Sequence, residues 1–150
     1  MRPIFVTTAL ALLLFVNSGR ECAAQTVPTT VPNPVLYFVG QESFSTGGKP
    51  MMRYRYGVLN ALSYPDAMFA AAPTLPPCGA NTKAGRTWVD LYTQGGKRLN
   101  GFCALQASSN LDGIWFALDE GVVPPSWIYI ELTDRQTGTK YRSNLAETTN

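Results

Sequence analysis

The side chains with chemical potential in this chain are a cysteine pair, a scatter of carboxylates and a set of aromatic rings at alternate positions. Cys78 and Cys103 bracket two alternating runs joined by a Gly95-Gly96 turn. Two cysteines cannot complete a four-ligand zinc site, and the chain contains no histidine to help them. The same lack removes a histidine-based triad and a histidine pH switch. In an exported chain the pair reads as a disulfide, Cys78–Cys103, and closing that loop is worth about 3.5 kcal/mol in the chain-entropy treatment.

Paired carboxylates can hydrolyse glycosides, and Asp66, Asp90, Asp112, Asp119, Glu120, Glu131 and Asp134 are the candidates. Asp112, Asp119 and Glu120 flank Gly113 and Gly121, where turn chemistry already accounts for them. Asp90 and Glu131 fall mid-strand on outward positions, where a lysine or arginine partner suffices to explain them. No G-x-S-x-G elbow is present, and Gly47-Gly48-Lys49-Pro50 lacks the spacing of a phosphate loop. No catalytic residue is assigned, and neither a metal nor an organic cofactor is expected.

The rings carry more. Trp88 and Tyr92 alternate with Val89 and Leu91; Trp115 alternates with Ile114 and Phe116; Trp127 and Tyr129 alternate with Ile128 and Ile130. If the aliphatic series is the core, Trp88, Tyr92, Trp115, Trp127 and Tyr129 share the outside as a candidate binding face, suited to sugar rings or to a partner protein. The competing reading is a phase error on one strand, which swaps whole faces, or a cover supplied by the Asn60–Pro77 crossover.

These residues need strands to position them. Charged residues make up 15% of the chain and aromatic residues 11%, with 13 glycines and 11 prolines, a mixture that favours an all-β domain. Val35–Val39 reads as a first strand stopped by Gly40, with Ser43–Pro50 a loop. Met52–Val58 alternates, with Tyr54, Tyr56 and Val58 on one face and Arg53 and Arg55 on the other. Asn60–Pro77 reads as a passage between sheets, with one helical turn at Pro65–Phe69 or a short strand. Strands follow at Thr87–Tyr92, Leu99–Leu105, Ile114–Leu118 and Trp127–Thr133, and a last hairpin returns through Thr139–Arg142. The inward series runs Val89, Leu91; Phe102, Ala104; Ile114, Phe116, Leu118; Ile128, Ile130, Leu132. About seven short antiparallel strands at this spacing suit a β-sandwich.

The domain reading is a signal peptide over 1–24, a Pro-rich extended arm over 25–34, the β-sandwich over 35–143 and a disordered polar tail over 144–150. Arg2 precedes an apolar stretch from Ile4 to Val16, which at 1.5 Å per residue is about 20 Å long, short of the ~30 Å hydrocarbon core. Cleavage is expected near Ala24, leaving no membrane span and an exported chain, periplasmic or extracellular. The formal charge of +2 falls to +1 without Arg2, Arg20 and Glu21, so no nucleic-acid partner is implied.

The strand order and the Asp134–Arg142 hairpin resemble an immunoglobulin or fibronectin type III-like sandwich over about residues 50–143. The run LPPCGANTKAGRTWVDLY followed by LNGFCAL resembles small exported bacterial proteins of unassigned function. Trp88 lies only ten residues after Cys78, so the Cys…Trp…Cys spacing of antibody domains is missing. The resemblance implies fold and export, with no catalytic residues to carry over. The leading expectation is a non-catalytic exported binding or structural module that meets a protein or glycan of the bacterial cell envelope. The alternatives are a small secreted carbohydrate-active hydrolase using Asp90, Glu131 or Asp134, and an enzyme inhibitor presenting the Cys78–Arg86 loop.

Overall fold

The computed structural model describes residues 30–76, 78 and 84–148. The leader expected over 1–24, its cleavage site and most of the Cys78–Arg86 loop lie outside the described residues.

Two glycines turn the first long alternation into a hairpin. β1 (Leu36–Thr46) and β2 (Lys49–Val58) pair antiparallel and are joined by Gly47-Gly48. Those glycines hold φ 56° and 78°, the double positive φ of the tight turns that match strand twist. The expected stop at Gly40 and the expected loop over Ser43–Pro50 are therefore corrected. Gly40 sits at a bulge, where the register passes from Phe38↔Tyr56 to Gly40↔Arg55. Beyond it the strand is built of residues such as Gln41, Ser43 and Ser45, which remain exposed and so carry no apolar alternation.

β5 (Ile114–Asp119) pairs with β2 and completes a three-stranded sheet in the order β1-β2-β5. The second sheet contains β3 (Thr87–Thr93), β4 (Arg98–Phe102), β6 (Trp127–Asp134) and β7 (Lys140–Arg142) in the order β4-β3-β6-β7, again antiparallel throughout. β8 (Ala146–Glu147) adds to the first residues of β6. The chain is all-β, two antiparallel sheets facing one core, compatible with a β-sandwich.

Alternation supplies that core. Tyr54, Tyr56, Val58, Ile114 and Phe116 come from the smaller sheet and Val89, Leu91, Ile128, Ile130 and Leu132 from the larger. Phe116 stacks between Tyr54 and Tyr56, with ring centroids 5.0 and 6.0 Å away. Each aliphatic side chain buried here is worth about 1.5–3 kcal/mol. The inward assignment of Ala104 is corrected: β4 ends at Phe102, and Cys103 and Leu105 are buried while Ala104 is half-buried. There the chain leaves the β3 ladder, and the Cys103 carbonyl accepts from Gly85 N–H at 2.7 Å. Cys78 and Cys103 form the expected disulfide pair, Cα atoms 5.9 Å apart.

The crossover carries the chain from one sheet to the other, as expected, through two 3-10 turns, Ala61–Ser63 and Asp66–Phe69. Pro65 leads into the second with a φ of −68°, the angle its ring imposes. That turn buries Met68 and Phe69, and the Met68 carbonyl accepts from the buried Thr87 hydroxyl at 2.6 Å.

At both ends of the described residues the structure differs from expectation. Over the described part of the arm, Val31 packs on the core and the Pro32 carbonyl accepts from Tyr64 Oη at 3.0 Å. Residues 144–148, expected as a loose tail, close the fold instead. The Asn144 amide accepts from Leu36 N–H at 2.8 Å and donates to Leu36 C=O at 3.0 Å, completing the edge of β1 as a strand would. Thr148 is buried and its hydroxyl accepts from Tyr56 Oη at 3.0 Å. Burial removes the Tyr56 hydroxyl from water and pushes its pKa up to about 12. On the opposite side, Asn100 Nδ2 donates to the Trp115 carbonyl at 2.8 Å and links β4 to β5 across the seam.

Candidate functional site

The outer face of the larger sheet is set by the register of its two central strands. β3 and β6 pair Trp88↔Thr133, Asp90↔Glu131 and Tyr92↔Tyr129. Directly opposed residues share a face, so Trp88, Asp90, Tyr92, Tyr129 and Glu131 lie together away from the core. Trp127, two residues before Tyr129, extends the same row. The structure therefore gathers four of the five candidate rings and leaves one elsewhere. Trp115 lies on β5 of the other sheet, paired with Arg55, and its indole packs edge-on against Phe102 with centroids 6.0 Å apart. Alternation gives the phase of a strand but not the sheet it joins, which is why Trp115 is separated from the set.

The rings on this face are held rather than bare. Tyr92 and Tyr129 stack with centroids 5.3 Å apart and planes 19° from parallel. Arg142 of β7 lies 3.8 Å over the Tyr129 ring, so Tyr129 is only 9% exposed although it points outward. Arg135 lies 4.3 Å over Trp88, whose Nε1 donates to the Gly85 carbonyl at 3.0 Å. Trp127 is the open member, 40% exposed. Asp90 accepts from Arg98 Nε at 2.7 Å, and Glu131 accepts from Lys140 Nζ at 2.6 Å. Exposed ion pairs of this kind contribute little to stability, but they fix where each charge stands. The Tyr92 hydroxyl is raised above its ordinary pKa, first by burial and then by the Asp90 and Glu131 charges beside it.

The result is a flat platform of two stacked phenols and an open indole, edged by ordered charges. Such a surface stacks on planar or ring-shaped groups and hydrogen-bonds at its rim. Asp90 and Glu131 are direct cross-strand neighbours, yet each is engaged by a cation on an open sheet face. Asp134 is also committed: its carboxylate accepts from Arg86 Nε at 2.8 Å and Arg86 Nη2 at 2.6 Å and ties the β6–β7 turn to the start of β3. Among the described residues no group of three or more metal-ligating side chains stands together.

The smaller sheet carries an arrangement that sequence reasoning missed. The Arg53 guanidinium sits between Phe44 at 4.5 Å and Trp115 at 4.7 Å, with Nη1 donating to Glu42 at 2.8 Å. The outward phase of Arg53 was legible from Tyr54 and Tyr56. Its partners Glu42 and Phe44 were not, because the polar half of β1 reads as loop.

No helix among the described residues is long and apolar enough to cross a membrane. Compared with protein families, curated proteins and solved structures, the chain matches none.

Proposed function

We propose that this protein is a non-catalytic, exported binding or structural module of immunoglobulin or fibronectin type III-like type, acting at the cell envelope or outside the cell. Its contact surface is the outer face of β3 and β6, and its partner is a protein or glycan of the envelope. The observation that carries this reading is the open Trp127 indole beside the stacked Tyr92–Tyr129 pair. An exposed tryptophan next to rings already ordered loses little side-chain entropy on binding, the property that makes such groups anchors at interfaces. The Cys78–Cys103 pair at disulfide distance fits an oxidising compartment.

The test is retention of purified protein on a glycan array and on envelope-protein fractions, comparing the wild-type chain with Trp127→Ala and Tyr92→Ser. Trp127→Ala is expected to weaken retention by at least about tenfold, the truncation cost of an aromatic anchor, with Tm shifted by no more than about 3 °C. Retention unchanged in both variants, or no retention of the wild-type chain on either surface, overturns the reading.

A further inference from the structure

Beyond the aromatic face lies a second feature with its own chemistry. A groove of about 530 Å³ runs between the end of the crossover and the β6–β7 turn, with Ala67, Ala71, Leu75, Arg86, Arg135 and Gln136 among its lining. Its volume is in the range of small-ligand and peptide subsites.

One wall is an unfinished strand. Ala72 N–H donates to the Ala84 carbonyl at 3.1 Å, and Arg86 N–H donates to the Ala70 carbonyl at 3.0 Å, bracketing an antiparallel bridge between Ala71 and Gly85. In such a bridge the residue between the two bonds turns its own N–H and C=O the other way. Ala71 lines the groove and is exposed, and its backbone N–H and C=O have no partner among the described residues. An extended chain laid alongside completes that ladder.

The charge in the groove is equally specific. Arg86 is spent on Asp134, which cancels it. Arg135 is not: its guanidinium stacks on Trp88, and no carboxylate contacts it among the described residues. The indole beneath it is fixed by its bond to Gly85, and Arg135 N–H donates to the Arg86 carbonyl at 2.9 Å, so ring and backbone are both ordered. Stacking uses the face of a guanidinium and leaves its N–H edge free for two parallel bonds to a carboxylate.

We propose that this groove binds a short extended peptide by strand addition along Ala71, with a C-terminal carboxylate held by Arg135. The alanine walls admit small side chains. The mode is main-chain pairing for affinity with a carboxylate contact for direction. It does not require the aromatic face to bind anything.

The test uses fluorescence anisotropy with an N-terminally labelled peptide Gly-Ser-Ala-Ala-Ala bearing a free carboxylate, its C-terminal amide, and an N-methylated version of the free acid. The free acid is expected to bind saturably, the amide and the N-methylated peptide at least about tenfold more weakly. Arg135→Gln is expected to bring the acid down to the level of the amide, and Thr74→Trp, at an exposed position on the groove, to weaken both. Both substitutions lie on the surface, and thermal melts report whether each variant is folded. Equal affinity for acid and amide, or an unchanged Arg135→Gln, overturns the proposal. Loss of peptide binding in Trp127→Ala places the peptide on the aromatic face and also overturns it. A dimer in sedimentation that Arg135→Gln dissolves gives the groove to a second copy of the chain, which overturns the peptide assignment as well.

Discussion

Replacing Asp134 with asparagine removes the charge of a carboxylate that accepts four hydrogen bonds. Its Oδ1 accepts from Arg86 Nε at 2.8 Å and from Gln136 N–H at 2.9 Å; its Oδ2 accepts from Arg86 Nη2 at 2.6 Å and from Thr137 Oγ1 at 2.9 Å. The side chain is 4% exposed, so solvent screens the pair poorly. The Arg86 contact, opposed in part by burial, holds the carboxyl at about 2 rather than 3.8. At about 1.36 kcal/mol per pH unit, that gap is worth about 2.4 kcal/mol. The folded-state value is the lower one, so the contribution is complete above about pH 5 and disappears as the pH falls through about 4 to about 2. Asp134→Asn is therefore expected to be less stable than the wild-type chain by about 2–3 kcal/mol at pH 7, and the difference should close toward zero near pH 2. Urea unfolding at intervals from pH 7 to pH 2 reads this directly. A difference that stays constant across the range refutes the reasoning, because the loss then comes from shape and not from charge. Arg86→Met supplies the cycle: adding Asp134→Asn to it should produce little of the pH-dependent term.

Three further outcomes follow from the same geometry. Replacing Cys78 and Cys103 with serine should lower stability by about 3 kcal/mol, and the intact mass of the unreduced wild-type protein should be about 2 Da below that of the reduced chain. Thr148→Val leaves the buried Tyr56 hydroxyl without its acceptor and should cost about 1–3 kcal/mol in urea melts, whereas a frayed tail would register no change. Burial pushes Tyr56 and Tyr64 up to about 12. Their neutral forms are favoured by folding, so stability should fall as the pH rises from about 10 toward about 12, and absorbance at the phenolate band should show these two tyrosines ionising last or together with unfolding.

Alternation made the inner faces legible wherever a strand is buried on one side only. Tyr54, Tyr56 and Val58, and Ile128, Ile130 and Leu132, are core as their spacing says. What alternation could not mark is a strand whose residues are exposed or only half-buried. The Gln41–Thr46 half of β1 projects beyond the core, held by pairing with β2, by the Gly47-Gly48 turn and by the contacts of Glu42 and Phe44 with Arg53. β8 is two residues long, too short for any period, and exists because Ala146 pairs with Ile128. For the candidate site the phase of each ring was readable, while coverage was not. Tyr129 lies on the expected face, but Arg142, thirteen residues further on, closes over it after the β6–β7 turn. Trp115 has the expected phase on a strand of the other sheet. Asp134 could be singled out as a carboxylate, but only tertiary structure shows it spent on Arg86.

The Asn144 clasp on Leu36 spans 108 residues of sequence, and the Tyr56–Thr148 contact spans 92. Both fix the order in which a growing chain can finish. The β1–β2 hairpin closes through a local glycine turn, whereas the tyrosine-rich face of β2 is covered by residues far along the chain. Its last partner, Thr148, emerges about 5–18 s later at ~5–20 residues per second. Contacts of such long sequence separation also slow folding once the chain is complete, because loop-closure entropy must be met before they form.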